Sequence, residues 1–535
     1  MSGTLYIHGV FAAPTRIAAG HDAVYADEQG IIRAIGSRAE LQLQLSGTDY
    51  KVVDWDGGHV LPGLVDSHMH LSMHGMKLSM LDFSNVTSKE QMLQLIRERV
   101  QVTPAGEWIL GLNWNENAFQ PAVPPLRDEL DEITTAHPIY LTRTCFHAFL
   151  ANSTAFQRAG VHHDTPDPAS GSFGRNEQGE LNGWVYEEAN QYFTRVQPEP
   201  DYETKKAAIR RACEDGLRLG LTGAHTEDLR FLGSIETMLR IHRELREEGL
   251  RFRSHQLLYY THLDEAEALN VRAGDGDEWL RIGAAKIFSD GAIGGRTALL
   301  QQPYSDDPST SGMAIHNQQV LDELTARARS LGFPIAVHAI GDGAAHMTLT
   351  AMERYPLQGI SHLPDRFIHA QVLDADLLKR MAALPLIADI QPRFVASDFP
   401  WVLDRVGAER TSYLYAWKKL LQAGVVCAGG SDAPIEPLDP LLGMHAAVTR
   451  RRPDQSEPAS GYLPDERLSI AEAVHLFTSG SAAAVSEQQT RGSIEIGKAA
   501  DFTVMDRDIY TDAEQLLSAN VRMTIVNGEI AYTSS

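Results

Sequence analysis

His68 and His70 flank Met69 at the end of the apolar run Leu61-Pro62-Gly63-Leu64-Val65-Asp66-Ser67. Residues i and i+2 of a β-strand point to the same face, so the pair can aim two imidazoles at one cation from the end of a single strand. A chain with 21 histidines contains about one such spacing by chance, so the pair gains weight only through further donors at equivalent places. Three more residues follow or end apolar runs in the same way: His338 after Ile335-Ala336-Val337, His369 after Phe367-Ile368, and Asp432 after Gly429-Gly430-Ser431. Lys286 lies inside another such run, Ala284-Ala285-Lys286-Ile287-Phe288-Ser289-Asp290. Any one of these histidines alone is more simply a hydrogen-bonded core residue. Their joint placement is what chance does not supply.

The lysine is the odd member, because an ammonium offers donors only and cannot ligate a cation. Burial near cations favours the neutral amine, which can take up carbon dioxide and become an anionic carbamate able to bridge two metals. The structural alternative is a buried lysine paired with Asp290 or Asp432.

Elements of defined kind are needed to bring these residues together. Apolar runs over 60–67, 221–226, 252–259, 282–289, 334–338, 367–369, 385–390 and 425–429 read as eight strands. Helical patterns alternate with them, for example over 205–219, 234–248, 320–331 and 375–383. Alternating strands and helices imply a parallel sheet, and eight such units imply an α/β chain folded as a (β/α)8 TIM barrel, whose catalytic residues sit at the C-terminal strand ends. Short strand patterns at 4–10, 23–26, 31–35 and 51–55 are matched by others at 501–505 and 521–532. Residues 1–59 and 490–535 are therefore expected to share a small composite β-sandwich, with the barrel over 60–489 inserted between them. A loop after the first barrel strand would normally take about 2–6 residues. Residues 72–204 far exceed that, and strand patterns at 108–114 and 139–143 with a helical one at 151–159 predict an insertion over the barrel mouth.

Composition narrows the function. Of the 535 residues 43% are hydrophobic, yet no apolar run reaches membrane-spanning length. The first residues show neither a basic start nor an apolar segment of the secretory kind, so a cytoplasmic protein is expected. Cys145, Cys213 and Cys427 are few and dispersed, which suits reduced thiols. A net charge of −23 repels phosphate backbones, and Arg450-Arg451-Arg452 is the one compact basic cluster. The expected partner is a small-molecule substrate, with no nucleic acid and no membrane; a homo-oligomer is left open.

Taken together, Leu61 to His70, Lys286-Ile287-Phe288-Ser289-Asp290-Gly291, Val337-His338-Ala339-Ile340-Gly341-Asp342-Gly343, Ile368-His369-Ala370-Gln371, Gly430-Ser431-Asp432-Ala433-Pro434 and Gly492 to Asp501 resemble the amidohydrolase superfamily. Within it they resemble the amidohydrolase-3 group, which includes N-substituted formamide deformylase. The resemblance spans nearly the whole chain and implies two divalent ions, commonly zinc. It implies that His68, His70 and Asp432 bind one ion, that His338 and His369 bind the other, and that Lys286, carbamylated by CO2, bridges both. One departure is Ile368 before His369, where members commonly have glutamate; this touches a neighbouring contact and leaves the ligand in place.

The activity so implied is hydrolysis of a non-peptide carbon–nitrogen bond, as in an N-formyl or N-acyl amine. Metal-activated hydroxide would be the nucleophile, with Asp432 as general base. A cyclic amide, imide or ester is the rival substrate. A deaminase with one metal would not need Lys286 as a bridge. An inert barrel acting as a binding or regulatory protein would be expected to lack one or more of the six ligands. His225, at a strand end in Ala224-His225-Thr226, and Arg296, after Gly294-Gly295, are candidate substrate contacts. So are Trp114 and His147 in the insertion, each with hydrogen bonding or core packing as the structural alternative.

Overall fold

Eight parallel strands follow one another in a single sheet: β1 (Leu64–Met69), β2 (Leu221–Thr226), β3 (Arg253–Tyr259), β4 (Leu280–Phe288), β5 (Ile335–Ala339), β6 (Asp365–His369), β7 (Leu386–Ile390) and β8 (Val426–Gly429). This is the computed structural model of the chain, which describes residues 2–11, 17–144, 147–168, 170–357, 359–455 and 458–534. The strands are buried almost throughout, as expected where helices cover a parallel sheet. Helices between them start where short polar residues can cap: Ser234 accepts from the Thr237 N–H, Asn317 from Val320 and Asp374 from Leu377.

The sheet curls into a nearly closed barrel. Its seam, between β8 and β1, is joined just beyond the strands rather than along them. Asp432 N–H donates to the His68 carbonyl at 2.7 Å, His70 N–H to the Ala433 carbonyl at 2.8 Å, and Ser431 N–H to Asp66 at 3.0 Å. Gly430 permits this approach, since a Cβ there would lie 2.5 Å from the His68 nitrogen.

The run expected as one strand over 60–67 is two. His59–Pro62 pairs antiparallel with Phe502–Met505 in a terminal sheet, and the barrel strand begins at Leu64 and carries His68 within it. The break falls at Gly63, whose N–H donates to the Asp501 carbonyl at 2.8 Å. A side chain at Gly63 would meet Thr222 at 2.6 Å and Asp501 at 2.9 Å. Pro62 has no N–H with which to continue a ladder.

Both chain ends meet in two four-stranded sheets. One runs Ile32–Gly36, Ala23–Ala26, Gly3–Ile7, Tyr50–Asp54; the other runs Glu529–Thr533, Val521–Val526, Phe502–Met505, His59–Pro62. Asn527 and Gly528 both have positive φ, 53° and 74°, which suits the tight turn of the last hairpin. Tyr6 and Trp55 stack at 5.2 Å in the shared core, with Phe502 edge-on to each.

Arg253 at the start of β3 makes a bidentate pair with Asp501, Nε to Oδ2 at 2.9 Å and Nη2 to Oδ1 at 3.0 Å, each side chain 7% exposed. Burial alone would raise the Asp501 carboxyl, but the Arg253 charge and hydrogen bonds outweigh it and hold it below its ordinary value of 3.8. A carboxyl depressed in the folded state stabilises fully above the unfolded value and loses that contribution as pH falls through the folded one. Asp501→Asn is expected to cost about 3 kcal/mol at pH 7, because it leaves the Arg253 guanidinium buried without its counter-charge. Thermal melts should show that difference at pH 7, and the difference should shrink as the pH falls below the ordinary carboxyl value toward the folded one.

Residues 75–208 form a compact unit of their own, where 72–204 was expected to be inserted. It holds a six-stranded sheet in the order Gly171–Arg175, Leu181–Glu187, Ala148–Ala151, Ile139–Arg143, Ile109–Trp114, Leu81–Asp82. Among the described residues no helix is long and apolar enough to cross a membrane. Cys213 and Cys427 are free, buried thiols whose pKa values burial pushes up; Cys145 lies outside the described residues.

Candidate metal centre

The six residues singled out by strand position converge at the C-terminal ends of the barrel strands. Asp432 Oδ1 is 3.5 Å from Nε2 of both His68 and His70, and the donor atoms of these three residues lie within 4.8 Å of one another. Lys286 Nζ, from β4, is 3.1 Å from His68 Nε2. His338 Nδ1, from β5, is 2.9 Å from His369 Nε2 at the end of β6. The His369 ring stands edge-on to His68 at 5.8 Å, so the two groups adjoin. His68, His70, Lys286, His369 and Asp432 are all buried, and the His338 side chain is 12% exposed.

Proton accounting tests whether cations fit here. Gln391 Nε2 donates to the Asp389 carbonyl, which leaves its Oε1 to accept from His369 Nδ1 at 2.7 Å. His338 Nε2 lies 3.1 Å from the Gly291 carbonyl and must carry the proton of that contact. His338 Nδ1 and His369 Nε2 then point lone pairs at each other. By the same logic His70 Nδ1–H donates to the Glu227 carbonyl at 2.8 Å, leaving its Nε2 lone pair facing the Asp432 carboxylate. Opposed lone pairs need a positive charge between them, either a proton or a metal ion. Burial resists the imidazolium solution: it holds His68 and His338 well below the usual histidine value and His369 at about 4. Burial also opposes His70 protonation, but Asp432 overcomes it and raises His70. Neutral imidazoles whose other N–H is tied to a carbonyl or amide are the usual form of metal-ligating histidine. The residues present fit divalent cations.

Lys286 is fully buried, and burial brings its amine down to about 7 against an opposing pull from Asp432. The Asp432 carboxyl, which burial alone would raise, is held below its ordinary value chiefly by His70. Both Asp432 and His369 have left-handed backbone, with φ of 60° and 83°. Such conformations cost of order 1–3 kcal/mol each and persist where the surroundings fix them.

A second ring of residues holds the first. Asp66 accepts from His68 N–H and Ser431 N–H. Arg366, paired bidentately with Asp389, donates to the Ser67 carbonyl at 2.5 Å. Asp290 accepts from the backbone of Leu299, Ile340 and Gly341 and lies 3.4 Å from His338 Nε2. Asp290 enters the sequence analysis only as an alternative partner of Lys286, and the support roles of Asp66, Arg366, Asp389, Gln391 and Glu227 are not read there. Gln391 follows β7 just as His369 ends β6, so the strand-end rule applied to that strand would have found it.

A cavity of about 440 Å³ contains the imidazoles and Asp432. Its apolar wall includes Met73, Phe288, Ile293, Phe394, Trp401 and Ile435, and its polar wall Arg230, Gln371 and Asp398. None of the four candidate substrate contacts is among the residues that line it. His225 is buried with its ring 5.2 Å from that of His255, its register partner on β3. It lines a smaller cavity with Arg253, Arg281 and Asp501. Trp114 is a core residue of the insertion, donating to the Leu141 carbonyl and packed edge-on to Trp184. His147 is exposed and paired with Glu187 at 2.9 Å. Arg296, with φ of 53°, is engaged by both oxygens of Asp306.

The chain is similar to known proteins along nearly its whole length. The model of the Amidohydrolase family matches residues 51–532. A relative named amidohydrolase YtcJ, from Bacillus subtilis (strain 168), is 40% identical over 516 residues, 96% of each chain. N-substituted formamide deformylase from Arthrobacter pascens is 27% identical over 521 residues, covering 94% of this chain and 93% of its own. The crystal structure of an uncharacterized metal-dependent hydrolase from Pyrococcus furiosus superposes with a TM-score of 0.75 at 30% identity, covering 95% of this chain and 99% of that one.

Proposed function

The chain belongs to the amidohydrolase family, and from that premise we propose that it hydrolyses a non-peptide carbon–nitrogen bond in an N-formyl or N-acyl amine. The family match and the metal-dependent hydrolase that superposes on the chain both support metal-dependent hydrolysis. The observation that supports a two-ion site is the pair of lone-pair oppositions, one at His338 and His369 and one at His70 and Asp432. His68, His70 and Asp432 would hold one ion, His338 and His369 the other, and Lys286 as its carbamate would bridge them. Two divalent ions supply a water ionised near neutral pH and a polarised scissile carbonyl.

The chain's own residues do the rest. Asp432, ionised and directed at the site, takes a proton from the attacking water and delivers it to the leaving nitrogen. Gln391 and the carbonyls of Gly291 and Glu227 fix which imidazole nitrogen faces the reaction. The apolar wall excludes bulk water and binds the organic part of the substrate. The choice of a formyl or acyl amine is supported by the relative that bears the name N-substituted formamide deformylase.

Metal analysis with a hydrolysis screen tests this. Protein reconstituted with zinc, manganese or cobalt is expected to bind about two ions per chain and to release amine from an N-formyl or N-acyl amine, with activity lost on chelation. The screen includes cyclic amides, imides and esters. Turnover confined to those moves the substrate assignment, and a zinc-supplemented protein that binds no metal ends the hydrolase reading.

A further inference from the structure

Arg230 stands on the cavity wall with one edge of its guanidinium already committed. It follows β2 in the short helix Leu229–Leu232, where its backbone N–H and its Nε both donate to the Glu227 carboxylate, at 3.1 and 2.7 Å. Glu227 is fully buried, while the Arg230 side chain is 40% exposed. Among the described residues no other hydrogen bond reaches the guanidinium, so its Nη groups are left to the cavity. The anchor at Nε fixes the plane of the fork. Its carbon also lies 4.6 Å from the centroid of the Phe288 ring and 5.6 Å from that of Tyr259, which limits its rotation further.

An arginine held in this way offers two parallel N–H donors in the geometry that a carboxylate accepts. The position is informative as well. Lys286 Nζ lies 4.8 Å from the centroid of the same Phe288 ring, and the His338 ring lies 5.1 Å away. Phe288 is therefore the spacer between the free guanidinium edge and the ligand cluster. An anion held by Arg230 sits a short linker away from the bond that is cut. Asp398 is the wall's other carboxyl beside Asp432, and burial raises it to about 7 while Tyr415 donates to it, so it opposes an incoming anion only weakly.

Building on the hydrolase reading above, we infer that the substrate is an N-acyl compound carrying a carboxylate, which Arg230 binds, beside an apolar body that the Phe394, Trp401 and Ile435 wall accepts. The carboxylate belongs either to the amine half, as in an N-acyl amino acid, or to the acyl half, as in a dicarboxylic monoamide; the chemistry at Arg230 is the same.

Two measurements test this, and the first needs no turnover. Calorimetry compares hydrocinnamate with its neutral analogue benzylacetone on metal-loaded wild type and on Arg230→Gln, with metal content and circular dichroism measured on both proteins. Hydrocinnamate is expected to bind roughly 10- to 100-fold more weakly to the variant, while the ratio for benzylacetone moves far less. Equal changes for both ligands, or no change for either, overturn the assignment. The second measurement compares kcat/KM within matched pairs: N-formylphenylalanine with N-formylphenethylamine, and N-phenethylsuccinamate with N-phenethylbutanamide. Wild type is expected to prefer the charged member of at least one pair, and that preference to collapse in Arg230→Gln; a neutral preference in both pairs overturns the inference. Should no amide be turned over, the hydrolase reading fails while the calorimetry still decides the role of Arg230.

Discussion

Asp432→Asn in metal-loaded protein should keep most of its metal and lose about 10³-fold in kcat, within the range that positioned general acid–base groups contribute. Asparagine reproduces the shape of aspartate and retains a carbonyl oxygen where Oδ1 meets His68 and His70 at 3.5 Å. Its backbone, at φ 60°, also tolerates asparagine, which enters the left-handed region more readily than most residues. The N–H to the His68 carbonyl is untouched. What the amide cannot do is accept a proton from water and return it to nitrogen. Metal content and steady-state turnover measured on one preparation separate the two roles. If the variant holds its metal and turns over near the wild-type rate, Asp432 is a ligand and nothing more.

Lys286→Met should be nearly as damaging, with loss of metal and a fall in turnover of about 10²-fold or more, the scale on which a charge-stabilising group counts in a dry site. Lys286 is fully buried against His68, and among the described residues no carboxylate lies within ion-pair distance of its Nζ. The structural alternative, a lysine paired with Asp290 or Asp432, thus lacks its direct partner. Burial instead brings the amine down to about 7, where a large fraction is neutral at physiological pH. A neutral amine joins its nitrogen to the carbon of CO2 and releases one proton, giving a carboxylate-like group in place of a base. Carbon-13 bicarbonate should produce a carbamate resonance in wild type that Lys286→Met lacks. Lys286→Ala should regain part of its activity from formate or acetate, which restore a carboxylate to the space. A Lys286→Met protein that binds two ions and works normally would sink the bridging role.

The sequence made the ligands readable because barrel topology turns position into address. Each of His338, His369 and Asp432 lies at or just after the end of its strand, and eight parallel strands deliver those ends to one rim. The supports were unreadable for the opposite reason. Asp290 gathers three backbone donors and Asp389 holds Arg366, work that neither residue type announces before the loops are folded, whereas Gln391, just after β7, sits where the strand-end rule points. His225 lies near the end of β2 as expected, but that position alone does not say what its ring meets, and it packs against His255, its register partner on β3. The break at Gly63 was hidden by the continuity of the apolar run. Arg230 could not be judged from sequence at all, since its interest lies in which of its nitrogens Glu227 leaves free.

The seam between β8 and β1 carries one more implication, for the order in which the molecule comes together. Ser431 reaches Asp66 across 365 residues of chain, and the neighbouring contacts use the backbone of His68, His70 and Asp432 themselves. Contacts so distant in sequence repay their loop-closure entropy only after most of the intervening chain has folded. The donors on β1 and the carboxylate after β8 are therefore among the last groups to find each other. A nascent chain that lacks β8 lacks the His68, His70 and Asp432 cluster, because the stitches that close the barrel and these three donors belong to the same few residues. Competence for hydrolysis then serves as a certificate that the whole wall has been completed.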